Sequence, residues 1–493
     1  MFYMKTNINV VLFMTDQHRF DCLGCAGNPV VETPNIDWIA SEGTVFDRAY
    51  TPSPSCIPAR ACLMTGMNQW NTGILGMGAG QGGIGVNFPN TLPGVLAENG
   101  WHTKGVGKMH FYPERALLGF HSTVLDESGR VATPGFVSDY HKWFMGQANG
   151  KITTEDHGLG WNSWMARPWH LPEELHPTCW TASEAISFLR ERDPSMPFFL
   201  KVSFERPHSP YDPPQYYFDM YQDSDVPAPY IGEWAGKNDV NADAAELDAW
   251  RGKRSDKETH RARAAYYGAV SHIDNQIGRI FMCMKNMGLM DNTMFIFTSD
   301  HGDMLGDHNL WRKTYAYEGS AHIPLVIKLP REMRDASVPR SDKLAGLYGI
   351  MPTILDVLDI PIPESVDGHS LLKPATGNSE GWRTHFHGEH SMCYAPEQEM
   401  QFITDGRYKY IWLPRADIEQ LFDLETDPGE IYDISADQTH HLLRLRELLV
   451  QELAKRENSM VKDGKLVSQN NLPPQVSPKY RERLDSSAYK WTK

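Results

Sequence analysis

Side chains that can bind a metal ion follow two apolar segments that lie far apart in the chain. Asp16 and Gln17 come directly after one segment, and Asp300 and His301 come directly after the other. Such a mainly oxygen-bearing set suits Ca²⁺ first, and Mn²⁺ second because of the histidine. Either aspartate alone would more simply cap a following helix. Two such strand ends, one with an adjacent histidine, favour a metal site.

Two basic side chains lie two residues apart in a glycine-containing segment. Lys108 and His110 belong to the sequence GVGKMH, in which the glycines let the backbone approach a ligand closely. Alternate residues of an extended segment face the same way, so both side chains would enter one space. Lys313 follows Asp300 after a short loop and would by itself be ordinary solvated surface. Each position alone is a weak signal for anion binding.

Cys56 lies in the segment SPSCIPARAC, among small residues and close to Pro58 and Arg60. A structural cysteine favours apolar neighbours without charge. The segment instead indicates a tight turn with a helix directly after it, and the N-terminus of a helix attracts anions. Cys62, further along, is more typical of a buried core residue.

The segments that precede the candidate residues have the composition of strands buried on both faces. Each is short, apolar and uninterrupted. Helical patterns lie between them, which predicts an α/β fold with a largely parallel sheet. The predicted strands span residues 8–14, 197–204 and 294–298, and the predicted helices span residues 181–192 and 261–287.

In a parallel sheet, ligands bind beyond the carboxyl ends of the strands. Asp16, Asp300 and His301 follow predicted strands directly, and His208 follows a third strand after a few residues. We therefore expect these side chains to meet at one edge of the sheet, although they are far apart in the sequence.

The pattern becomes polar and loop-like near residue 375. We expect residues 1–375 to form the catalytic α/β domain and residues 376–493 to form a smaller α+β domain with a polar tail. The tail begins near Asn458 and could wrap around a neighbouring subunit or be disordered. The second domain is predicted from strands at 400–404 and 408–413 and an amphipathic helix at 442–453.

Residues 141–180 contain five tryptophans with glycine and histidine between them. This composition predicts a long loop over the site. An aromatic ring there could stack on a sugar, and packing within the loop explains the tryptophans equally well. His387, Glu389 and His390 could likewise be substrate contacts or buried structural residues.

Composition excludes several classes of partner. The 493 residues carry a formal net charge of −15, which disfavours nucleic acid because phosphate contacts need a basic face. No apolar run is long enough to span a bilayer, and no signal-peptide cleavage pattern follows the first one. We expect no membrane association and a cytoplasmic location, or a periplasmic one if a leader has been removed. The odd count of 7 cysteines argues against a disulfide framework.

The segment CIPAR at 56–60 resembles the C-x-P-x-R signature of the formylglycine-dependent (type I) sulfatases. Further segments match that family in its order over about the first three quarters of the chain. They are Asp16-Gln17, GKMH at 107–110, PHSP at 207–210, and TSDHG at 298–302 with Lys313 downstream. The resemblance implies an alkaline-phosphatase-like α/β fold, with a large, mixed, mostly parallel sheet flanked by helices and a smaller C-terminal α+β domain.

The resemblance also implies the nucleophile. A maturation enzyme would oxidise Cys56 to formylglycine, and the hydrate of that aldehyde would bind the metal and attack the sulfur of a sulfate ester. Arg60 would stabilise the hydrated nucleophile. The implied metal ligands are Asp16, Gln17, residue 56, Asp300 and His301.

The remaining catalytic roles come from the same resemblance. Lys108, Lys313 and the cation would neutralise the sulfate oxygens. His208 would protonate the leaving alcohol, and His110 would take a proton as sulfate is expelled and the aldehyde is regenerated.

Two residues depart from the commonest sulfatase pattern. Gln17 stands where many sulfatases have a second aspartate, and His301 stands where many have asparagine. Both variants also occur in phosphonate monoester and phosphodiester hydrolases of the same superfamily. The Lys108-x-His110 pair favours a sulfatase.

The leading hypothesis is a sulfuric ester hydrolase acting on a small organic sulfate or, in preference, a sulfated carbohydrate. The alternatives are a phosphonate monoester or phosphodiester hydrolase, and a catalytically silent sulfated-glycan binder with an unmodified Cys56. A homo-oligomer could form through the polar tail.

Overall fold

Eight of the described strands form one mixed sheet in this computed structural model. The structure describes residues 7–77, 83–127, 133–148, 150–240 and 246–484. The strands are β1 (Asn9–Asp16), β2 (Thr44–Phe46), β3 (Ala49–Tyr50), β4 (His102–Gly107), β5 (Ser122–Leu125), β6 (Phe198–Pro207), β7 (Thr293–Ser299), β8 (Leu325–Lys328), β9 (Arg340–Ser341), β10 (Ala345–Gly346), β11 (Phe386–His390), β12 (Met400–Thr404), β13 (Tyr408–Leu413), β14 (Ile418–Asp423), β15 (Val461–Lys462) and β16 (Lys465–Leu466).

The helices lie between and around these strands. They are α1 (Pro34–Ser41), α2 (Cys56–Thr65), α3 (Gln69–Thr72), α4 (Leu92–Glu98), α5 (Asp139–Gln147), α6 (Pro177–Glu191), α7 (Gln215–Met220), α8 (Asp256–Asn286), α9 (Glu318–Ala321), α10 (Arg331–Arg334), α11 (Ile350–Val357), α12 (Leu372–Ala375), α13 (Thr439–Ala454) and α14 (Tyr480–Leu484). Among the described helices, none is long and apolar enough to cross a membrane.

The large sheet has the spatial order β5-β4-β6-β1-β7-β8-β2-β9. The first five strands in this order, β5, β4, β6, β1 and β7, run parallel to one another. Strand β8 is antiparallel to both of its neighbours. All residues of β1, β6 and β7 are buried, which explains why their sequences are continuous apolar runs. The predicted α/β fold and its three strands are confirmed.

Alternate residues of β1 supply two separate cores. Val10, Leu12 and Met14 pack on one face with residues of α2, α4 and α11. Val11 and Phe13 pack on the other face with residues of α1, α6 and α8. Since strand side chains alternate between faces, one apolar strand holds helices on both sides of the sheet.

A second sheet, β11-β12-β13-β14, is antiparallel and lies near the C-terminus. Leu445 and Leu449 of α13 pack against it. Lys409 of β13 is fully buried, and its Nζ lies 2.8 Å from Glu318 and 2.9 Å from Glu430. The strands predicted at 400–404 and 408–413 are β12 and β13, and the predicted bounds are those observed. A domain boundary at 375 stays a prediction.

The expectation of one long loop over residues 141–180 was wrong at both ends. Helix α5 covers its start, and α6 begins at Pro177, where proline suits the first turn of a helix. Trp169 and Trp180 are buried against Tyr140 and Phe144. Only the middle of this segment is left to cover the site.

The polar tail packs on its own chain as far as the structure describes it. Residues 461–466 form the β15–β16 hairpin, and Ser477 Oγ donates to the carbonyl oxygen of Trp70 at 2.9 Å. Arg483 Nη1 donates to the carbonyl oxygen of Asn87 at 2.9 Å. Of the two alternatives for the tail, disorder is therefore contradicted for residues up to 484, contact with a neighbouring subunit stays a prediction, and residues 485–493 lie outside the described part.

Candidate active site

The carboxyl ends of four adjacent parallel strands, β4, β6, β1 and β7, form the floor of the candidate site. Asp16 is the last residue of β1, and Asp300 and His301 follow β7. Lys108 follows β4 and His208 follows β6. All five side chains are buried. The sheet order thus brings together residues from four distant parts of the sequence at one edge.

Cys56 begins helix α2 directly above this edge. Ser55 before it is extended (φ −156°), so the chain turns into the helix at the cysteine itself. The sulfur lies 3.2 Å from His301 Nε2, 3.2 Å from Lys313 Nζ and 3.6 Å from Asp16 Oδ1. The N-terminus of α2 thereby adds its partial positive charge to that of the nearby cations.

Arg60 lies one helical turn after Cys56 and binds the strand ends from above. Its Nε donates to Asp300 Oδ2 at 2.8 Å, and its Nη2 lies 3.3 Å from Asp16 Oδ2. Its Nη1 donates to Ser203 Oγ at 2.7 Å and to the carbonyl oxygen of Lys108 at 2.6 Å. One guanidinium therefore contacts β1 and β6 and the residues that directly follow β4 and β7.

Potential metal ligands converge beside this arginine. Asp16, Cys56, Asp300 and His301 each offer a ligand atom, and these atoms all lie within 4.8 Å of one another. His301 Nε2 is 3.6 Å from Oδ1 of both aspartates, while their Oδ2 atoms face Arg60. Two carboxylate oxygens and an imidazole nitrogen fit a divalent cation such as Ca²⁺ or Mn²⁺.

Gln17 has a different orientation from that expected of a ligand. Its Oε1 accepts a hydrogen bond from Lys313 Nζ at 3.0 Å, and its Nε2 donates to Asp303 Oδ2 at 2.6 Å. In this arrangement Gln17 positions Lys313, and its role as a metal ligand stays a prediction. Asp303 was not singled out by sequence, although it directly follows the TSDHG motif.

Positive charge dominates around the sulfur. Burial and Asp16 would raise the pKa of the Cys56 thiol, but Lys313, Lys108 and His301 outweigh them and hold that pKa well below its usual range. Burial also opposes ionisation of Asp16, yet Lys108, which lies 2.6 Å from its Oδ2, and other cations lower its pKa. The site is therefore built to stabilise negative charge.

His110 is held by an acid that sequence analysis missed. Glu127 Oε1 accepts hydrogen bonds from the backbone N–H groups of Met109 and His110, both at 2.7 Å, and its Oε2 lies 3.3 Å from His110 Nδ1. Burial would raise the pKa of Glu127, but these contacts with His110 and Met109 lower it. The pairing of β5 with β4 brings Glu127 here, so no local signal could reveal it.

Trp161 covers two of the basic residues of the site, His208 and Lys108. Its ring stacks on that of His208 with centroids 4.4 Å apart, and Lys108 Nζ lies 4.6 Å from the ring centroid. Of the five tryptophans in the segment, this one fulfils the expectation of an aromatic side chain over the site.

The C-terminal candidates have structural partners. Glu389 pairs with Arg456 and accepts hydrogen bonds from Gln69 and Gln401 at 3.0 Å each. His390 Nε2 lies 2.7 Å from Ser55 Oγ, next to the start of α2. These contacts favour the structural interpretation over direct substrate contact.

The fold and the site together define an alkaline-phosphatase-like hydrolase. Residues 8–360 match the family model for sulfatases, and residues 306–459 match the model for the C-terminal region of N-sulphoglucosamine sulphohydrolase. An arylsulfatase of Clostridium perfringens is 43% identical, over 93% of this chain and 97% of that protein. The chain belongs to the sulfatase family of enzymes.

Two further proteins are similar over most of their lengths. A choline-sulfatase of Rhizobium meliloti is 29% identical, over 87% of this chain and 82% of that protein. The crystal structure of the phosphonate monoester hydrolase of Agrobacterium radiobacter has a TM-score of 0.77 at 26% identity, over 95% of this chain and 99% of that one.

The contact between Glu127 and His110 predicts a kinetic effect. In Glu127→Gln an amide would replace the acceptor that faces His110 Nδ1, so the imidazole would lose its orientation and preferred tautomer. We expect kcat to fall roughly 100-fold with little change in KM, by analogy with other buried acids that orient a histidine. Steady-state kinetics would measure this, with Glu98→Gln on the exposed end of α4 as the control. An unchanged kcat in a folded variant would contradict the role.

Proposed function

We propose that this sulfatase hydrolyses the sulfate ester of a sulfated carbohydrate, using formylglycine made from Cys56 and a divalent cation. The observation that carries the proposal is the position of the Cys56 sulfur, 3.2 Å from both Lys313 and His301 and at the N-terminus of α2. An oxygen nucleophile at this position would meet the cations that an anionic sulfate needs. Hydrated formylglycine would supply that nucleophile.

The metal would be held by Asp16, Asp300 and His301, with residue 56 and Gln17 as further ligands. Ca²⁺ is the first choice for this oxygen-rich set and Mn²⁺ the second. Such a cation would act as a Lewis acid that favours the ionised form of the nucleophile. Arg60 binds the Oδ2 atoms of both aspartates, which keeps their Oδ1 atoms directed to the same point.

Lys108 and Lys313 would neutralise the sulfate oxygens. Both ammonium groups are buried, so they act with little screening by water. Lys313 is oriented by Gln17, and Lys108 by Asp16 and the ring of Trp161. Charge that develops in the transition state would be stabilised by groups already in place.

His208 would deliver the proton to the leaving alcohol. Its Nδ1 bonds to the carbonyl oxygen of Ser209 at 2.7 Å, which leaves Nε2 for the substrate. Burial, followed by the charge of Lys313, holds the pKa of His208 well below its usual range. A bound sulfate anion would offset this by favouring the protonated form. His110, oriented by Glu127, would accept the second proton.

Maturation of Cys56 predicts a defined mass change. In protein from a host that can mature sulfatases, the side chain of residue 56 should be CHO in place of CH₂SH. The variants Cys56→Ala and Lys108→Ala should fold but lose turnover. Peptide mass spectrometry and activity assays would test this. Normal activity in purified Cys56→Ala would contradict the mechanism. An intact thiol, in a host that converts a control sulfatase, would support the silent-binder alternative.

A phosphonate monoester or phosphodiester hydrolase is the second candidate. Gln17 and His301 make the metal set less anionic than an all-acid one, and the similarity to the Agrobacterium radiobacter hydrolase supports the same alternative. Lys108 and His110 favour sulfate. We expect kcat/KM for an aryl sulfate to exceed that for an aryl phosphodiester in matured enzyme. The reverse order, measured on the same preparation, would overturn the assignment to sulfate.

A cavity of about 410 Å³ next to Trp161 supports a carbohydrate as the leaving group. Trp161 and Trp169 line it together with charged and polar side chains, and aromatic faces beside hydrogen-bonding groups suit sugar rings. Asp126 also lines it and is only 1% exposed, yet neither of its oxygens accepts a hydrogen bond from a described residue. Burial, and then the charge of the neighbouring Glu205 and a hydrogen bond with it, hold the pKa of Asp126 well above its usual range. Sugar hydroxyl groups would be further hydrogen-bond partners for this buried carboxyl.

The role of Asp126 predicts a substrate-dependent effect. Asp126→Ala should raise KM about tenfold for the preferred sulfated sugar, since one hydrogen bond is lost, and leave KM for a small aryl sulfate unchanged. Glu155→Ala is the matched control because Glu155 is an exposed carboxylate on the same cavity. Equal effects of Asp126→Ala on both substrates would argue against sugar contact.

A further inference from the structure

Glu173, Cys179 and His272 form a second cluster of metal-binding side chains outside the catalytic residues. Glu173 lies in a single turn of 3₁₀-helix before α6, Cys179 in the first turn of α6 and His272 in the middle of α8. Cys179 and His272 are buried, whereas the Glu173 side chain is 42% exposed. The cluster joins three elements and is open to solvent on the carboxylate side.

The distances within this cluster suit one tetrahedral ion. Cys179 Sγ lies 3.3 Å from His272 Nε2, His272 Nε2 lies 3.4 Å from Glu173 Oε1, and the sulfur lies 3.9 Å from that oxygen. Zinc–sulfur, zinc–nitrogen and zinc–oxygen bonds of about 2.3, 2.0 and 2.1 Å at tetrahedral angles separate ligand atoms by about 3.4 to 3.6 Å. The three ligand atoms therefore already lie close to the separations that a tetrahedral Zn²⁺ ion requires.

Hydrogen bonding alone serves this triangle poorly. His272 Nε2 faces both the sulfur and the carboxylate but can hydrogen-bond only one of them, and the hydrogen bond from the Cys179 thiol to Glu173 Oε1 is long, at 3.9 Å. An ion in the triangle would instead contact all three groups. The exposed side of Glu173 gives a path of entry and room for water as a fourth ligand.

We propose that Glu173, Cys179 and His272 bind Zn²⁺ at a site separate from the catalytic centre. Cysteine binds as the thiolate, so binding releases the thiol proton to solvent. The ion would fasten the turn that precedes α6 to α8. Trp161, which contacts His208 and Lys108, lies in the segment that ends at this turn. Zn²⁺ binding would therefore also hold this segment in place over the catalytic residues.

Binding of Co²⁺ in place of Zn²⁺ can be followed by absorbance, so the site can be tested without measuring activity. The full chain carrying Cys56→Ala removes sulfur from the catalytic centre, so Co²⁺ bound there gives no thiolate band. Titration of this protein with Co²⁺ should produce a near-ultraviolet thiolate-to-Co²⁺ charge-transfer band whose final intensity corresponds to one thiolate ligand per chain, and Zn²⁺ should abolish it. Adding Cys179→Ser should remove the band, whereas adding Cys283→Ser, a half-buried cysteine on α8, should keep it.

A second variant keeps the test decisive if Cys179→Ser folds poorly. Glu173→Gln changes a partly exposed side chain, and it should weaken Co²⁺ binding about tenfold or more in the Cys56→Ala protein. Absence of a band at excess Co²⁺ would overturn the site. Survival of the band in folded Cys179→Ser, or unchanged affinity in Glu173→Gln, would do the same.

Discussion

The buried ion pairs of Arg60 with Asp16 and Asp300 are the interaction on which the site depends. Each of these groups is costly to bury alone, by several kcal/mol, so none would persist there without its partners. Arg60 joins α2 to the ends of β1 and β7 and, through Ser203, to β6. The same contacts occupy one oxygen of each aspartate and leave the other directed toward His301. Charge balance and site geometry thus depend on Arg60, together with Lys108, which lies 2.6 Å from Asp16 Oδ2.

The spacing of the signature follows from this constraint. Cys56 and Arg60 are four residues apart, about one helical turn, so both side chains leave the same face of α2 and point to the strand ends. The helix must begin at Cys56 for its sulfur to lie at the N-terminus while Arg60 reaches the carboxylates. Insertion of one residue into this spacing would turn one of the two side chains away from the sheet edge.

Sequence could predict the parts of the structure that depend on local pattern. The strands β1, β6 and β7 are apolar without interruption because they are buried on both faces, and their order brings the motif residues together. Glu127 could not be predicted, since it reaches His110 only through the pairing of β5 with β4. Trp161 could not be separated from Trp169 and Trp180 either, because composition does not distinguish a ring over the site from one in a core.

The role of Gln17 depends on its neighbours, Asp303 and Lys313, and could not be read from its residue type alone. An amide can offer an oxygen to a metal or position a lysine, and here Asp303 takes its N–H group while its oxygen faces Lys313. An aspartate at position 17 would have no N–H group for Asp303, and two carboxylates would then repel each other. Gln17 therefore fits Asp303 and leaves Lys313 less neutralised than a carboxylate would. Under the proposed function this would favour binding of an anion beyond the strand ends, whether its central atom is sulfur or phosphorus. Discrimination between the two would then come from Lys108, His110 and the residues that contact the leaving group.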